Sequence, residues 1–121
     1  MKKKLTTEED YRLRVDRVCM YIREHLDKEI DMRRLAVLSA FSPFHFHRIM
    51  RAYLKEPIGA FIIRTRVETA AKLLRYTDLP VADIAYRVGY DTPSSLTKSF
   101  CKLFGISPKM YRLTKNYQMM T

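Results

Sequence analysis

A hydroxyl residue followed directly by proline occurs three times in this chain, as Ser42-Pro43, Thr92-Pro93 and Ser107-Pro108. The pair suits a helix start. The hydroxyl accepts one of the first unpaired backbone N–H groups, and proline fills the first helical position, where no N–H is missed. Behind Thr92-Pro93, Leu96, Phe100 and either Leu103 or Phe104 fall on one face. Ser94, Ser95, Thr97, Lys98 and Lys102 fall on the other. Behind Ser42-Pro43 the inner positions are Phe46, Ile49 or Met50, and Tyr53 or Leu54. Phe44, His47, Arg48 and Arg51 follow the i, i+3, i+4, i+7 spacing of an outer stripe.

A short amphipathic run precedes each of the first two starts. Val81 to Val88 has apolar residues at helical spacing and is stopped by Gly89, which tolerates the left-handed backbone of a helix end. Ile30 to Ala40, with Asp31 as its cap and Leu35, Ala36 and Leu38 facing inward, is its counterpart. Leu35-Ala36 and Ala40-Phe41 recur as Ile84-Ala85 and Gly89-Tyr90, 49 positions on. After the turn the offset becomes 50, pairing Ser42 with Thr92, Phe46 with Leu96, Arg48 with Lys98 and Met50 with Phe100, so the second turn holds one extra residue. The chain is therefore an internal repeat of helix, turn and helix.

The remaining segments fit between these units. Residues 1–7 read as a flexible tail, and Thr7 as the cap of a helix with Glu8, Glu9 and Asp10 in its first turn, where the helix dipole favours acids. Tyr11, Val15, Val18, Ile22 and Leu26 give that helix its apolar period. Pro57 opens a run without a breaker after Gly59, with Phe61 or Ile62, Val67, Ala70, Ala71 and Leu74 on its buried stripe. This run, 57–76, reads as one linker helix, both a core helix and a ruler between two units. The units themselves are expected at 8–56 and 77–115, with a final short helix through Tyr111. Residues 116–121 read as a tail or the start of a linker to a missing domain. The expected fold is all-α, with about seven helices.

Composition narrows the partner. The 121 residues carry 23 Lys and Arg against 13 Asp and Glu, a net charge of +10, which favours nucleic acid first and an anionic membrane second. No apolar run approaches the roughly 20 residues of a membrane helix, and the basic start has no apolar core behind it, so no signal peptide is expected. Cys19 and Cys101 have no metal or redox spacing and read as small apolar residues of a cytoplasmic protein. His45 and His47, two apart on a helix, diverge by roughly 200° and do not share a metal. No nucleophile or acid–base constellation is recognisable, so neither an enzyme nor a cofactor site is expected.

Ile84-Ala85, Gly89-Tyr90 and the run from Phe100 through Gly105-Ile106-Ser107-Pro108 to Arg112 together resemble the signature of arabinose-regulator-type (AraC/XylS) transcription factors. The resemblance covers roughly Ile30 to Arg112 and implies the same two-motif layout, with double-stranded DNA as the partner. It implies the DNA-binding domain of a bacterial regulator, with two recognition helices in successive major-groove segments of an asymmetric site. The alternative is a helical protein-interaction or ligand-sensing module whose basic faces meet another partner. Full-length members usually carry a separate sensing or dimerising domain, and the Phe44 to Arg48 stretch resembles members that continue into one after the DNA-binding part. The chain is then either a stand-alone regulator or part of a longer one; the resemblance favours an effector domain beyond Thr121, and RNA polymerase is the further partner if the protein activates.

In a helix-turn-helix the second helix reads the major groove. Phe44, His47, Arg48 and Arg51 are the expected base contacts of the first unit. Arg48 can give two parallel hydrogen bonds to guanine O6 and N7. Phe44 either presses on a thymine methyl or covers the helix start. In the second unit, Ser94, Ser95, Thr97, Lys98 and Lys102 are the expected DNA contacts. Pro93 and Lys98 stand where family members often carry larger amide or arginine side chains, so this helix is expected to act mainly as a phosphate clamp. The resemblance also implies phosphates near the helix starts at Ser42 and Thr92, in agreement with helix-end electrostatics. Arg64, Lys109 and Arg112 complete the phosphate candidates, with Arg66 beside them; for Arg66 and Arg112 an ion pair with a nearby carboxylate is the equal alternative.

Overall fold

A computed structural model describes residues 4–120, with side-chain surroundings through residue 114. The described residues form seven helices and no strand: α1 Thr7–Glu24, α2 Met32–Ser39, α3 Pro43–Leu54, α4 Ile58–Tyr76, α5 Val81–Arg87, α6 Pro93–Phe104 and α7 Pro108–Met120. They fall into two compact units. The first takes the chain up to His25 and then Glu29–Phe61; the second takes Leu26–Lys28 and the chain from Ile62 on. The division lies inside α4, which is one unbroken helix, so its first turn belongs to the first unit and the rest to the second.

In the first unit, α1 packs on α2 and α3, and the buried residues are Val15, Val18, Cys19 and Ile22 of α1, Leu35 and Ala36 of α2, Phe46 and Met50 of α3, and Phe41 of the turn. Burial also pushes the Cys19 thiol above its ordinary pKa, against a smaller opposite pull from Arg23. Both cysteines are free, with Cys101 only half-buried. The cap of α1 is Thr6 rather than Thr7: the Thr6 hydroxyl accepts the Glu9 backbone N–H at 3.1 Å and donates to the Glu9 carboxylate at 3.0 Å. A Thr-x-x-Glu pattern beginning one residue earlier explains the shift. Leu26 is buried, as its spacing suggested, but α1 has ended before it, and Leu26 belongs to the second unit. In α2, Leu38 is only half-buried, and the fully buried position is Ser39.

The second unit is built on Val67, Ala70, Ala71 and Leu74 of α4, Ile84 and Ala85 of α5, Val88, and Leu96 and Phe100 of α6. Leu103 and Phe104, one of which was expected to close the inner face of α6, are both exposed, at 45% and 39%. Phe104 instead lies flat on Phe100, centroid to centroid 4.7 Å, and tilts against Tyr111 at 5.4 Å, extending the core outward as a ring stack. The last helix does not stop at Tyr111 but continues to Met120.

The repeat is visible in the backbone. Left-handed φ values occur at Ala40 (59°) and Gly89 (100°), 49 positions apart, and at Lys55 (64°) and Gly105 (78°), 50 apart. These are the ends of α2, α5, α3 and α6. At the end of α5, the Gly89 N–H reaches the Tyr86 carbonyl at 3.2 Å and the Tyr90 N–H reaches the Ala85 carbonyl at 2.9 Å, the paired bonds of a Schellman stop. At the end of α2, the Ala40 N–H reaches the Val37 carbonyl at 3.1 Å, but the second bond is split. The Phe41 N–H donates to the Ser39 hydroxyl at 3.0 Å, and that hydroxyl donates to the Ala36 carbonyl at 2.6 Å.

Candidate nucleic-acid interface

Cap chemistry fixes where each candidate recognition helix begins. Ser42, extended at φ −63° and ψ 145°, accepts the His45 backbone N–H with its side chain, and Pro43 fills the next position. Thr92 does the same for the Ser95 N–H, ahead of Pro93. Neither α3 nor α6 contains a carboxylate. In α1 three acids answer the partial positive charge at the helix start; in α3 and α6 that charge meets no acidic side chain of the same helix.

The four candidates on α3 share one exposed face. Phe44 is 88% exposed, which removes the reading of it as cover for the helix start. Its ring stands edge-to-face with that of His45, 5.1 Å between centroids. His47, Arg48 and Arg51 are exposed, and the buried side of the helix is Phe46 and Met50, with Ile49, Tyr53 and Leu54 half-buried. An Arg48 terminal nitrogen lies 3.1 Å from the Nδ1 of His45.

The candidates on α6 divide. Ser94, Ser95, Lys98 and Lys102 are exposed. The half-buried Thr97 donates its hydroxyl to the Pro93 carbonyl of its own helix at 3.0 Å, which leaves its oxygen only as an acceptor toward a base. The Thr92 hydroxyl also donates to the Ser95 hydroxyl at 2.9 Å.

Among the phosphate candidates, Ser42, Thr92 and Lys109 are exposed at helix starts. Arg64 pairs with Glu68 at 3.0 Å, one turn along α4, and both remain substantially exposed. Arg112 is turned inward. It donates from Nε to the Leu74 carbonyl and from Nη2 to the Thr77 carbonyl, each at 3.2 Å. It thereby caps the C-terminal carbonyls of α4, so it is a structural clamp rather than an outward phosphate contact, and its partners are not carboxylates. Arg66 likewise donates to a carbonyl, that of Lys28, at 3.1 Å.

Two further arginines went unnoticed in the sequence. Arg14 donates to the Ala40 carbonyl at 3.3 Å and stacks over Phe41, and Arg17 donates to the Leu38 carbonyl at 3.4 Å. They anchor the turn ahead of α3 from α1. No periodicity reports them, because their partners are backbone atoms more than twenty residues away.

Two buried cores, each carrying a capped, carboxylate-free helix behind a left-handed turn, define a protein with two helix-turn-helix units. A family model described as a helix-turn-helix domain matches residues 35–114. The HTH-type transcriptional activator AarP of Providencia stuartii is 33% identical over 100 residues, covering 83% of this chain and 74% of that protein. The F1 operon positive regulatory protein of Yersinia pestis is 35% identical over 100 residues, but the match covers 82% of this chain and only 33% of that protein. The crystal structure of the DNA-binding domain of AdpA, a global transcriptional factor in complex with a target DNA, is similar with a TM-score of 0.80 and 29% identity, over 86% of this chain and 94% of that one. The chain belongs to the AraC-type helix-turn-helix family of transcriptional regulators, as a DNA-binding domain and not an enzyme. It spans most of AarP and about a third of the Yersinia regulator.

Proposed function

We propose that α3 and α6 enter successive major-groove segments of one duplex, at an asymmetric site, with α3 reading bases and α6 chiefly gripping phosphates. The observation that carries this reading is the outer face of α3, where Phe44, His47, Arg48 and Arg51 are all exposed on a helix without a carboxylate. That face offers an aromatic ring for a thymine methyl, a ring nitrogen, and two planar guanidinium groups suited to base edges and phosphates. On α6, exposed Lys98 and Lys102 supply point charges that hold a backbone without discriminating its bases. Ser42, Thr92 and Lys109 add contacts to phosphates at helix starts, and Arg64 adds one beside its pairing with Glu68.

The domain would act in the cytoplasm as part of a bacterial regulator. Two of its relatives are named as an activator and as a positive regulatory protein. RNA polymerase is the partner an activating role would require, and a sensing domain is the partner expected of a longer regulator. No helix among the described residues is long and apolar enough to cross a membrane.

The test is selection of bound sites from a random duplex pool, followed by affinity measurements across a salt series. The expected result is a non-palindromic site with strong base preference in one half and weak preference in the other. Log affinity should fall linearly with log salt at a slope of about −0.9 per phosphate contacted. A flat salt response, or a palindromic site bound by two copies, overturns the reading.

A further inference from the structure

The Arg48–His45 contact can run in one direction only. Arginine carries five N–H donors and no acceptor. A guanidinium nitrogen 3.1 Å from His45 Nδ1 can form a hydrogen bond only if Nδ1 carries a lone pair. The bond uses one of the two hydrogens on Arg48 Nη2. Whichever it uses, one complete two-donor fork of the guanidinium remains, either Nη1 with Nη2 or Nε with Nη2.

The position of His45 is set independently of its ring. It is the third helical residue after the Ser42 cap, and its N–H is shared by the Ser42 carbonyl at 3.0 Å and the Ser42 hydroxyl at 3.3 Å. At a capping position of this kind a Glu side chain folds back toward the cap. Glu9 occupies that place in α1, where it receives the Thr6 hydroxyl. In α6 the place belongs to Ser95, which receives the Thr92 hydroxyl. In α3 the side chain instead turns forward along the helix to Arg48, so this is the one of the three starts where the residue serves the outer face.

We infer that His45 is a positioning residue for base recognition: its Nδ1 holds the Arg48 guanidinium and so selects which of its two-donor forks meets the DNA. The inference rests on the reading of Arg48 as a base contact. Holding an otherwise rotatable arginine lowers the ordering cost of binding and favours one base over its competitors. The aligned residue Lys98 has no planar fork to select.

The test uses the full chain and the duplex selected from the random pool, with every base-pair substitution at the position that Arg48 reads. Arg48→Ala comes first. If it leaves discrimination at every base position unchanged, the base-reading role of Arg48 fails and this inference falls with it. If Arg48→Ala abolishes discrimination at one position, His45→Leu and His45→Asn decide the inference alone. Leucine has no acceptor; asparagine places a carbonyl oxygen where Nδ1 stood. His45→Leu should reduce discrimination at that position about two- to tenfold, the range of one hydrogen bond, with affinity for random duplex unchanged. His45→Asn should restore it. Equal weakening on all duplexes would make His45 a phosphate contact and overturn the inference, as would no change with leucine or a loss that asparagine fails to repair. Because His45 is exposed, both variants should fold, which unchanged circular dichroism would confirm.

Discussion

The turns before α3 and α6 solve one problem by different means. Each must reverse a helix end through a left-handed residue. At Gly89 the residue is glycine for two reasons. Its φ is 100°, and a Cβ there would collide with the Leu26 carbonyl oxygen and come within 2.7 Å of Arg66 Nε. The close approach of residues 26–28 to this turn, fastened by the Arg66 bond to Lys28, leaves room for nothing larger than hydrogen. At Ala40 the φ is 59°, a Cβ is present and exposed, and the strain is offset by the Ser39 hydroxyl bridging Phe41 and Ala36 and by Arg14 on the Ala40 carbonyl. One turn is shaped by what presses on it, the other by a polar bridge within it. Aligned positions in a repeat thus need not share a reason for their residue.

The largest expected effect separates the two turns directly. Gly89→Ala should destabilise the protein by about 3 kcal/mol, through the left-handed strain together with the backbone collision. Ala40→Gly should be neutral or stabilise by up to about 1 kcal/mol, because glycine relieves the strain in open space. Urea denaturation of both variants checks the opposite signs; equal effects would erase the distinction.

The two outer faces come next. Arg48→Ala should lose about 1–3 kcal/mol of discrimination at one base position. Lys98→Ala should weaken all duplexes alike and reduce the salt slope by about one contact. If Lys98→Ala changes base preference, the unequal division of labour between α3 and α6 is wrong. Ser39→Ala should cost about 1–2 kcal/mol of stability, since it strands the Phe41 N–H and the Ala36 carbonyl in a buried turn. The smallest effect is expected at Thr97, whose hydroxyl is bonded to its own helix. Thr97→Val should leave the selected site unchanged, and an altered preference there would return Thr97 to the base contacts.

The helices around α3 and α6 were legible because their signals are local. Ser42-Pro43 and Thr92-Pro93 state their own caps, and Phe46, Met50, Leu96 and Phe100 declare the inner faces by spacing. The α1 start was misplaced by one residue for a local reason as well, since Thr6 and Thr7 are both capable caps and only the reach to Glu9 decides between them. The outer stripe of α3 was readable by the same logic: what the core does not claim at helical spacing points outward. What the sequence could not show were the partners of its arginines. Arg48, Arg64, Arg66 and Arg112 look alike in the chain. Packing turns Arg66 and Arg112 onto carbonyls, pairs Arg64 with a carboxylate and leaves Arg48 outside beside a histidine.

Taken alone, the sequence determined the order of helices, the repeat, the caps of α2, α3 and α6 and the two polar faces, because each follows from residues within a few turns of one another. Tertiary structure alone decided why Gly89 admits no side chain, why Ser39 is buried and Leu103 is not, and which basic groups remain available to a partner. Those outcomes depend on backbone atoms brought together from distant parts of the chain, and no spacing rule encodes where a carbonyl will lie.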